Sequence, residues 1–260
     1  MNKIAFIGMG NMAQALAAGF IRTKKVIAED IFAYAPHQEK LEANAKKIGF
    51  VPCKTLAQAV SAADTVFMAC KPYQIEGVLA ETKAALAGKT LVSIALGWNF
   101  EKYQKFLDKS TRVQFVMPNT PAMVGEGVFL FEKSNSLEEN EHKEIWNLFA
   151  SLGVVEELSD NLMGIGGAVS GCGPAFVDLF IEAYADAAVK YGLPRAAAYK
   201  LVSQTVLGSA KLQLETGEHP AVLKDNVCSP AGSTIRGVAA LEENGLRNAC
   251  IKSIDAIMEK

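Results

Sequence analysis

The chain has 260 residues, 50% of them hydrophobic and 21% charged, enough for two domains of about 100–150 residues and too apolar for disorder. Its 26 Lys and Arg against 28 Asp and Glu leave a formal net charge of −2, so there is no basic excess to hold a nucleic-acid backbone. No run reaches the roughly 18 apolar residues of a membrane span; the five cysteines (Cys53, Cys70, Cys172, Cys228, Cys250) form no C-x-x-C and fit reduced cytoplasmic thiols; and a first strand beginning at Lys3 leaves no room for a signal peptide.

Short apolar runs then alternate with amphipathic stretches. Ile4–Ile7, Ile31–Tyr34, Thr65–Cys70, Thr90–Ala95 and Arg112–Met117 are apolar without alternation, as strands buried on both faces are. Between them Met12, Leu16 and Phe20 recur at helical spacing, and Gln38–Ile48 carries Leu41, Ala45 and Ile48 the same way. Thr55 is placed to cap a helix over Leu56–Ser61, and Pro72 suits the first turn of one running to about Ala85. Gly127–Phe131 and Gly153–Leu158 are further strands, flanking a helix over Leu137–Ser151 with Ile145, Leu148 and Phe149 on its apolar side. From Asp160 onward no strand pattern is left: Pro174–Tyr191, Ala196–Glu215, Pro230–Leu241 and Leu246–Met258 read as helices. The expected class is α/β: a Rossmann-type doubly wound sheet over residues 1–158, then an all-helical domain over 159–260.

Gly8-Met9-Gly10-Asn11-Met12-Ala13 reads G-x-G-x-x-A between the first strand and the first helix. Gly8 permits the tight turn, Gly10 lets backbone approach a pyrophosphate, and Ala13 allows close helix–strand packing; the helix N-terminus then faces the phosphates. An NAD site usually ends its second strand in an acid. Here the strand ends Tyr34-Ala35-Pro36-His37, and the first acid, Glu39, lies inside the next helix. A 2′-phosphate is not repelled, and His37 and Lys40 could meet it, so NADP(H) is favoured, with NAD(H) as the alternative. Ala69-Cys70-Lys71-Pro72 ends another strand, where open α/β sheets face their ligand crevice. Lys71 would bring positive charge there, and Cys70 reads as a small buried hydrophobe.

Three clusters of small and hydroxyl residues follow: Met117-Pro118-Asn119-Thr120-Pro121, Ser170-Gly171-Cys172-Gly173-Pro174, and Asp225 through Thr234. Backbone N–H groups and hydroxyls near helix starts suit a carboxylate ligand, although ordinary turns favour the same residues. The three histidines are not clustered, and His219 precedes Pro220 at a turn. Asp178, Glu182 and Asp186 share a helix face that reads as solvated rather than as a metal site. So sparse an inventory suits hydride transfer from a nicotinamide, where the cofactor carries the chemistry.

Together, Gly8–Ala13, Ala69–Pro72, Met117–Pro121 with Gly125-Glu126-Gly127, Ser170–Ala175 and Asp225–Thr234 with Gly237 resemble the pyrroline-5-carboxylate reductase family, in its order and over nearly the whole chain. Leu223 through Thr234 is the most specific part. Ala231, Ser233, Cys172 and Leu96 depart from the family's usual residues, with Leu96 replacing a small residue near the nicotinamide. The resemblance implies NADPH-dependent reduction of 1-pyrroline-5-carboxylate to L-proline, the last step of proline biosynthesis, in the cytoplasm, with no nucleic-acid or membrane partner. It implies a helical domain that dimerises, dimers that assemble into a decamer, and a site shared across the dimer. Gly8, Met9, Gly10, Asn11, Met12, Ala13, His37, Ala69, Cys70, Lys71, Pro72 and Asn119 would hold the cofactor. The backbone N–H groups of Gly232, Ser233 and Thr234, with Ser229, would hold the substrate carboxylate, and the Thr234 hydroxyl would bond the imine nitrogen. No metal is implied. A β-hydroxyacid dehydrogenase would need a catalytic Lys, commonly with an Asn four residues on, but Pro174–Tyr191 has only Lys190, near its end, and no Asn. A non-catalytic dinucleotide-binding module would not need the Asp225–Thr234 segment.

Overall fold

A computed structural model describes residues 3–259. The chain divides into two compact units between Gly171 and Cys172.

The first unit is built on eight strands: β1 (Ile4–Ile7), β2 (Ile31–Tyr34), β3 (Val51–Pro52), β4 (Thr65–Met68), β5 (Thr90–Ser93), β6 (Arg112–Pro118), β7 (Gly127–Glu132) and β8 (Gly153–Leu158). They form one sheet in the order β3-β2-β1-β4-β5-β6-β7-β8. Its helices are α1 (Asn11–Arg22), α2 (Gln38–Ile48), α3 (Leu56–Ser61), α4 (Ile75–Leu86), α5 (Phe100–Gln104), α6 (Glu139–Ala150) and α7 (Met163–Gly167). All pairings are parallel except β6 with β7, because the segment from Pro118 to Gly127 is too short for a crossover helix.

The two faces of the sheet explain the unbroken apolar runs. Ile4 and Phe6 of β1, with Phe67 of β4, join one core with Leu16 and Phe20 of α1 and Phe149 of α6. Ala5 and Ile7, with Val66 and Met68, join the other, with Val60 of α3 and Leu79 of α4. Alternate residues point to opposite faces, and both faces are covered. Phe6 stacks on Phe67 at 4.8 Å between ring centroids, and Phe149 meets Phe20 edge-on at 5.8 Å.

Local chemistry sets several boundaries as expected. The Thr55 hydroxyl accepts the Gln58 N–H at 3.1 Å, capping α3. Gly49 ends α2 at φ +106. Other elements escape periodicity. β3 has two residues, and the five-residue α5 depends on Asn99 Oδ1 accepting the Lys102 N–H at 3.0 Å. β4 and β5 stop at Met68 and Ser93, short of the apolar runs: the Ala69 and Ile94 N–H groups make the last bonds to neighbouring strands, and Ala69, Cys70, Ile94 and Ala95 line a cavity.

A π turn over Ala168–Cys172 leads from α7 into the second unit. This unit holds α8 (Gly173–Lys190), α9 (Arg195–Thr216), α10 (Pro220–Asn226), α11 (Ser233–Glu243) and α12 (Leu246–Met258). The turn expected around His219 opens α10, where His219 Nδ1 accepts the Ala221 N–H at 3.2 Å. The helix expected from Pro230 begins at Ser233 instead, since Ala231 takes φ +57, which no α-helix accommodates. α8 packs on α9 and α11 on α12, yet only Ala185 and Ala198 of α8 and α9 are buried. Leu179, Leu207 and Leu214 are exposed. The helical run Asp160–Lys190 is long and apolar enough by length and composition to cross a membrane. This corrects the sequence reading, which weighed only uninterrupted apolar runs.

Candidate active site

A cavity of about 730 Å³ opens at the carboxyl ends of β1, β2, β4 and β5. This is the crevice side of an open α/β sheet, beside β1 where strand order reverses. Gly8 turns the chain out of β1 at φ +95, and a Cβ there would lie 2.6 Å from the Cys70 backbone nitrogen and 2.7 Å from the Ala69 carbonyl oxygen. Only glycine fits. Gly10 serves the ligand side instead: a Cβ there would meet nothing within 4 Å, so the space it frees belongs to the cavity. Gly10 is also the N-cap of α1, which has no side-chain cap and no acid in its first turn. The N–H groups of Asn11, Met12 and Ala13 are thus left for an anion, with the helix dipole behind them. The loop is held from below, as Gln14 Nε2 donates to the Met9 carbonyl at 3.0 Å and Ala13 is buried against the sheet.

Beyond β2 the wall passes through Ala35 and His37 to Lys40 and Asn44 on α2. Gln38 Nε2 donates to the Ala35 carbonyl at 2.9 Å and fixes this corner. On the opposite side come Ala69, Cys70, Lys71 and Pro72, followed by Tyr73 and Gln74. Burial pushes the Cys70 thiol up to about 11, and its Sγ donates to Met68 Sδ at 3.6 Å. Cys70 is therefore neutral at pH 7 and forms wall rather than nucleophile. No Asp or Glu lines the cavity among the described residues, whereas Lys40 and Lys71 do. A pyrophosphate-bearing dinucleotide fits this shape and charge.

Of the residues expected at the cofactor, all but Asn119 line the cavity. Asn119 is buried and its amide is committed. Nδ2 donates to the Ser170 carbonyl at 3.0 Å, and Oδ1 accepts the Val128 N–H at 2.9 Å. It ties β7 to the turn after β6 and lies outside the cavity lining. Asn44, Tyr73 and Gln74 were missed. Asn44 could have been found from α2 itself, where it follows Lys40 by four residues and so shares its face.

On the second unit, Ser229, Ser233 and Thr234 are exposed. The Gly232 N–H does not join them as a free donor, since it closes a turn onto the Ser229 carbonyl at 3.0 Å. Gly232 acts sterically: a Cβ there would sit 2.4 Å from Ser229 Oγ. Gly232 is the N-cap of α11, so the Ser233 and Thr234 N–H groups lie in the first turn, where no intrahelical acceptor exists. An anion fits there. The Thr234 hydroxyl makes no hydrogen bond among the described residues, so it does not cap the helix.

Comparison with known proteins settles the lineage. Residues 160–260 match the family model for pyrroline-5-carboxylate reductase dimerisation, and residues 3–97 match that for coenzyme F420-dependent NADP oxidoreductase. A pyrroline-5-carboxylate reductase of Escherichia coli is 40% identical over 259 residues, covering 99% of this chain and 96% of the relative. This chain belongs to the pyrroline-5-carboxylate reductase family. The family's enzyme from Treponema pallidum is 39% identical over 260 residues, covering 98% of both chains. Among solved structures, the NADP-bound pyrroline carboxylate reductase of Plasmodium falciparum superposes with a TM-score of 0.89 at 33% identity, over 99% of this chain and 96% of that one. Reductases of this family use NAD(P)H, which agrees with the cavity described above.

Proposed function

We propose that this chain reduces 1-pyrroline-5-carboxylate to L-proline, with NADPH as the preferred hydride donor. The observation that carries this reading is a dinucleotide-shaped cavity free of acids in a chain related over its full length to pyrroline-5-carboxylate reductases. A nicotinamide held in this cavity would supply the hydride for the C=N carbon; the π electron pair would then pass to nitrogen, which would take its proton from water and end as the ring amine. The Ser233 and Thr234 N–H groups and the Ser229 hydroxyl hold the substrate carboxylate, and the Thr234 hydroxyl bonds the ring nitrogen. No buried acid is required. Following NADPH oxidation at 340 nm with pyrroline-5-carboxylate, and identifying proline as product, tests the reading; NADPH binding without turnover would overturn it in favour of a non-catalytic module.

Cofactor preference follows from the end of β2. Ala35, Pro36 and His37 place no carboxylate in the cavity, and Lys40 adds a cation. Ala35→Asp would set a negative charge against a 2′-phosphate while offering an acceptor to a 2′-hydroxyl. The ratio of kcat/KM for NADPH over that for NADH is expected to fall at least about tenfold, a difference of about 1.4 kcal/mol. An unchanged ratio would mean that this corner does not read the phosphate.

We also infer that residues 159–260 form a dimerisation and substrate domain, that two copies cover each other's α8 and α9, and that dimers assemble into a decamer. The exposed Leu179, Leu207 and Leu214 and the dimerisation match support this. The apolar run Asp160–Lys190 then faces protein rather than lipid. Light scattering showing a stable, fully active monomer would contradict it. Five free thiols support a reducing compartment, the cytoplasm.

A further inference from the structure

The cavity's far wall is made by two loops, Lys71–Gln74 after β4 and Ile94–Leu96 after β5. Backbone connects them only through their strands. Among the described residues one side-chain hydrogen bond joins them directly: Trp98 Nε1 donates to the Pro72 carbonyl at 3.0 Å. Trp98 itself is 2% exposed and lies outside the cavity lining. Its ring packs on Tyr103 at 5.0 Å and Phe106 at 5.3 Å, and Lys102 Nζ sits 4.1 Å above it.

The backbone of the same residue closes the second loop. The Trp98 N–H donates to the Ala95 carbonyl at 3.1 Å, making a β-turn with Gly97 at φ +77, the positive-φ position that such a turn demands. Ala95 and Trp98, the ends of the turn, are buried, while Leu96 at its corner is 69% exposed and borders the cavity. The chain beyond is pinned as well, because the Phe100 N–H donates to the buried Glu132 carboxylate at 2.7 Å. On the opposite loop, Tyr73 is 83% exposed and borders the same cavity. Tyr73 and Leu96 thus stand at the rim, on loops from neighbouring strands that one side-chain hydrogen bond ties together.

We propose that Trp98 is a positioning residue for the cofactor, its indole bond to Pro72 setting the width of the cleft in which Leu96 and Tyr73 receive the nicotinamide end. The inference rests on the dinucleotide reading of the cavity. With pyrophosphate on the Gly8–Ala13 turn and the adenosine ribose at the end of β2, the ends of β4 and β5 are left for the other half of the molecule. A preset cleft spares the ordering cost of closing two loops on binding.

Trp98→Phe keeps an aromatic ring in the core and deletes the donor. The dissociation constant for NADPH is expected to rise about tenfold, the size of one lost hydrogen bond, while that for 2′,5′-ADP, which lacks the nicotinamide half, stays within about twofold. A merely structural role would lower the melting temperature and move both constants or neither, and either result overturns the proposal. If Trp98→Phe does not fold, Leu96→Ala carries the test, since an exposed side chain can be trimmed without opening the core. It should weaken NADPH severalfold and leave 2′,5′-ADP unaffected, and an unchanged NADPH constant would overturn the proposal. Failure of the unaltered protein to bind either ligand would instead reject the dinucleotide reading and the proposal with it.

Discussion

Replacing Thr234 with alanine is expected to lower kcat about 100-fold, because a hydrogen bond that strengthens as charge shifts onto the ring nitrogen contributes roughly 2.7 kcal/mol to the transition state. The structure removes the main alternative, that the hydroxyl is a helix cap. Gly232 holds the N-cap position of α11, Thr234 lies inside the first turn, and its hydroxyl has no partner among the described residues. The melting temperature should therefore move less than the loss of a true cap, typically about 1 kcal/mol, would move it. Affinity for NADPH should be unchanged, since none of the cavity-lining residues is in this segment. Thr234→Ser should keep much of the turnover, because the hydroxyl survives. Measuring kcat, NADPH affinity and melting temperature on one preparation decides the matter: near-normal kcat in the alanine variant would remove Thr234 from the chemistry.

The two glycines of the turn after β1 should fail in different ways. Gly8→Ala forces a side chain into a φ of +95, and its Cβ meets the backbone of Ala69 and Cys70 within 2.7 Å. That backbone cannot retreat, since the Ala69 N–H is bonded to the Ile7 carbonyl at 2.9 Å. A loss of about 3 kcal/mol or more of stability is expected. Gly10→Ala, by contrast, puts its Cβ into open space at an ordinary φ of −76, so the fold should hold. The methyl would stand where the pyrophosphate approaches, and NADPH affinity should fall at least about tenfold. Denaturant melts and cofactor titrations of both variants check this. Equal stability loss in the two would mean that Gly10 is structural, and unimpaired NADPH binding by Gly10→Ala would move the pyrophosphate elsewhere.

Much of this was legible in the residues themselves. Strands buried on both faces are mostly apolar, so β1, β2 and β4 announce themselves without alternation, whereas Arg112 and Gln114 interrupt β6, and the helices between them repeat at about 3.6 residues. The G-x-G-x-x-A turn is equally local, since its glycines answer to a turn and a helix start formed by neighbouring residues. The absence of an acid after Tyr34 is likewise a statement about a few adjacent positions.

Tertiary structure decided what depends on distant partners. The antiparallel β7 follows from a connection too short to cross over, and β3 is paired only because β2 lies beside it. Asn119 looked available in its Pro-rich turn, but its amide bonds Ser170, 51 residues away, and Val128. Gly232 looked like a free donor until the turn onto Ser229 closed. The Trp98 bond to Pro72 joins residues on two loops that no periodicity relates. Apolar period and turn chemistry are read within a few residues, whereas each buried polar atom finds its partner wherever the fold brings one.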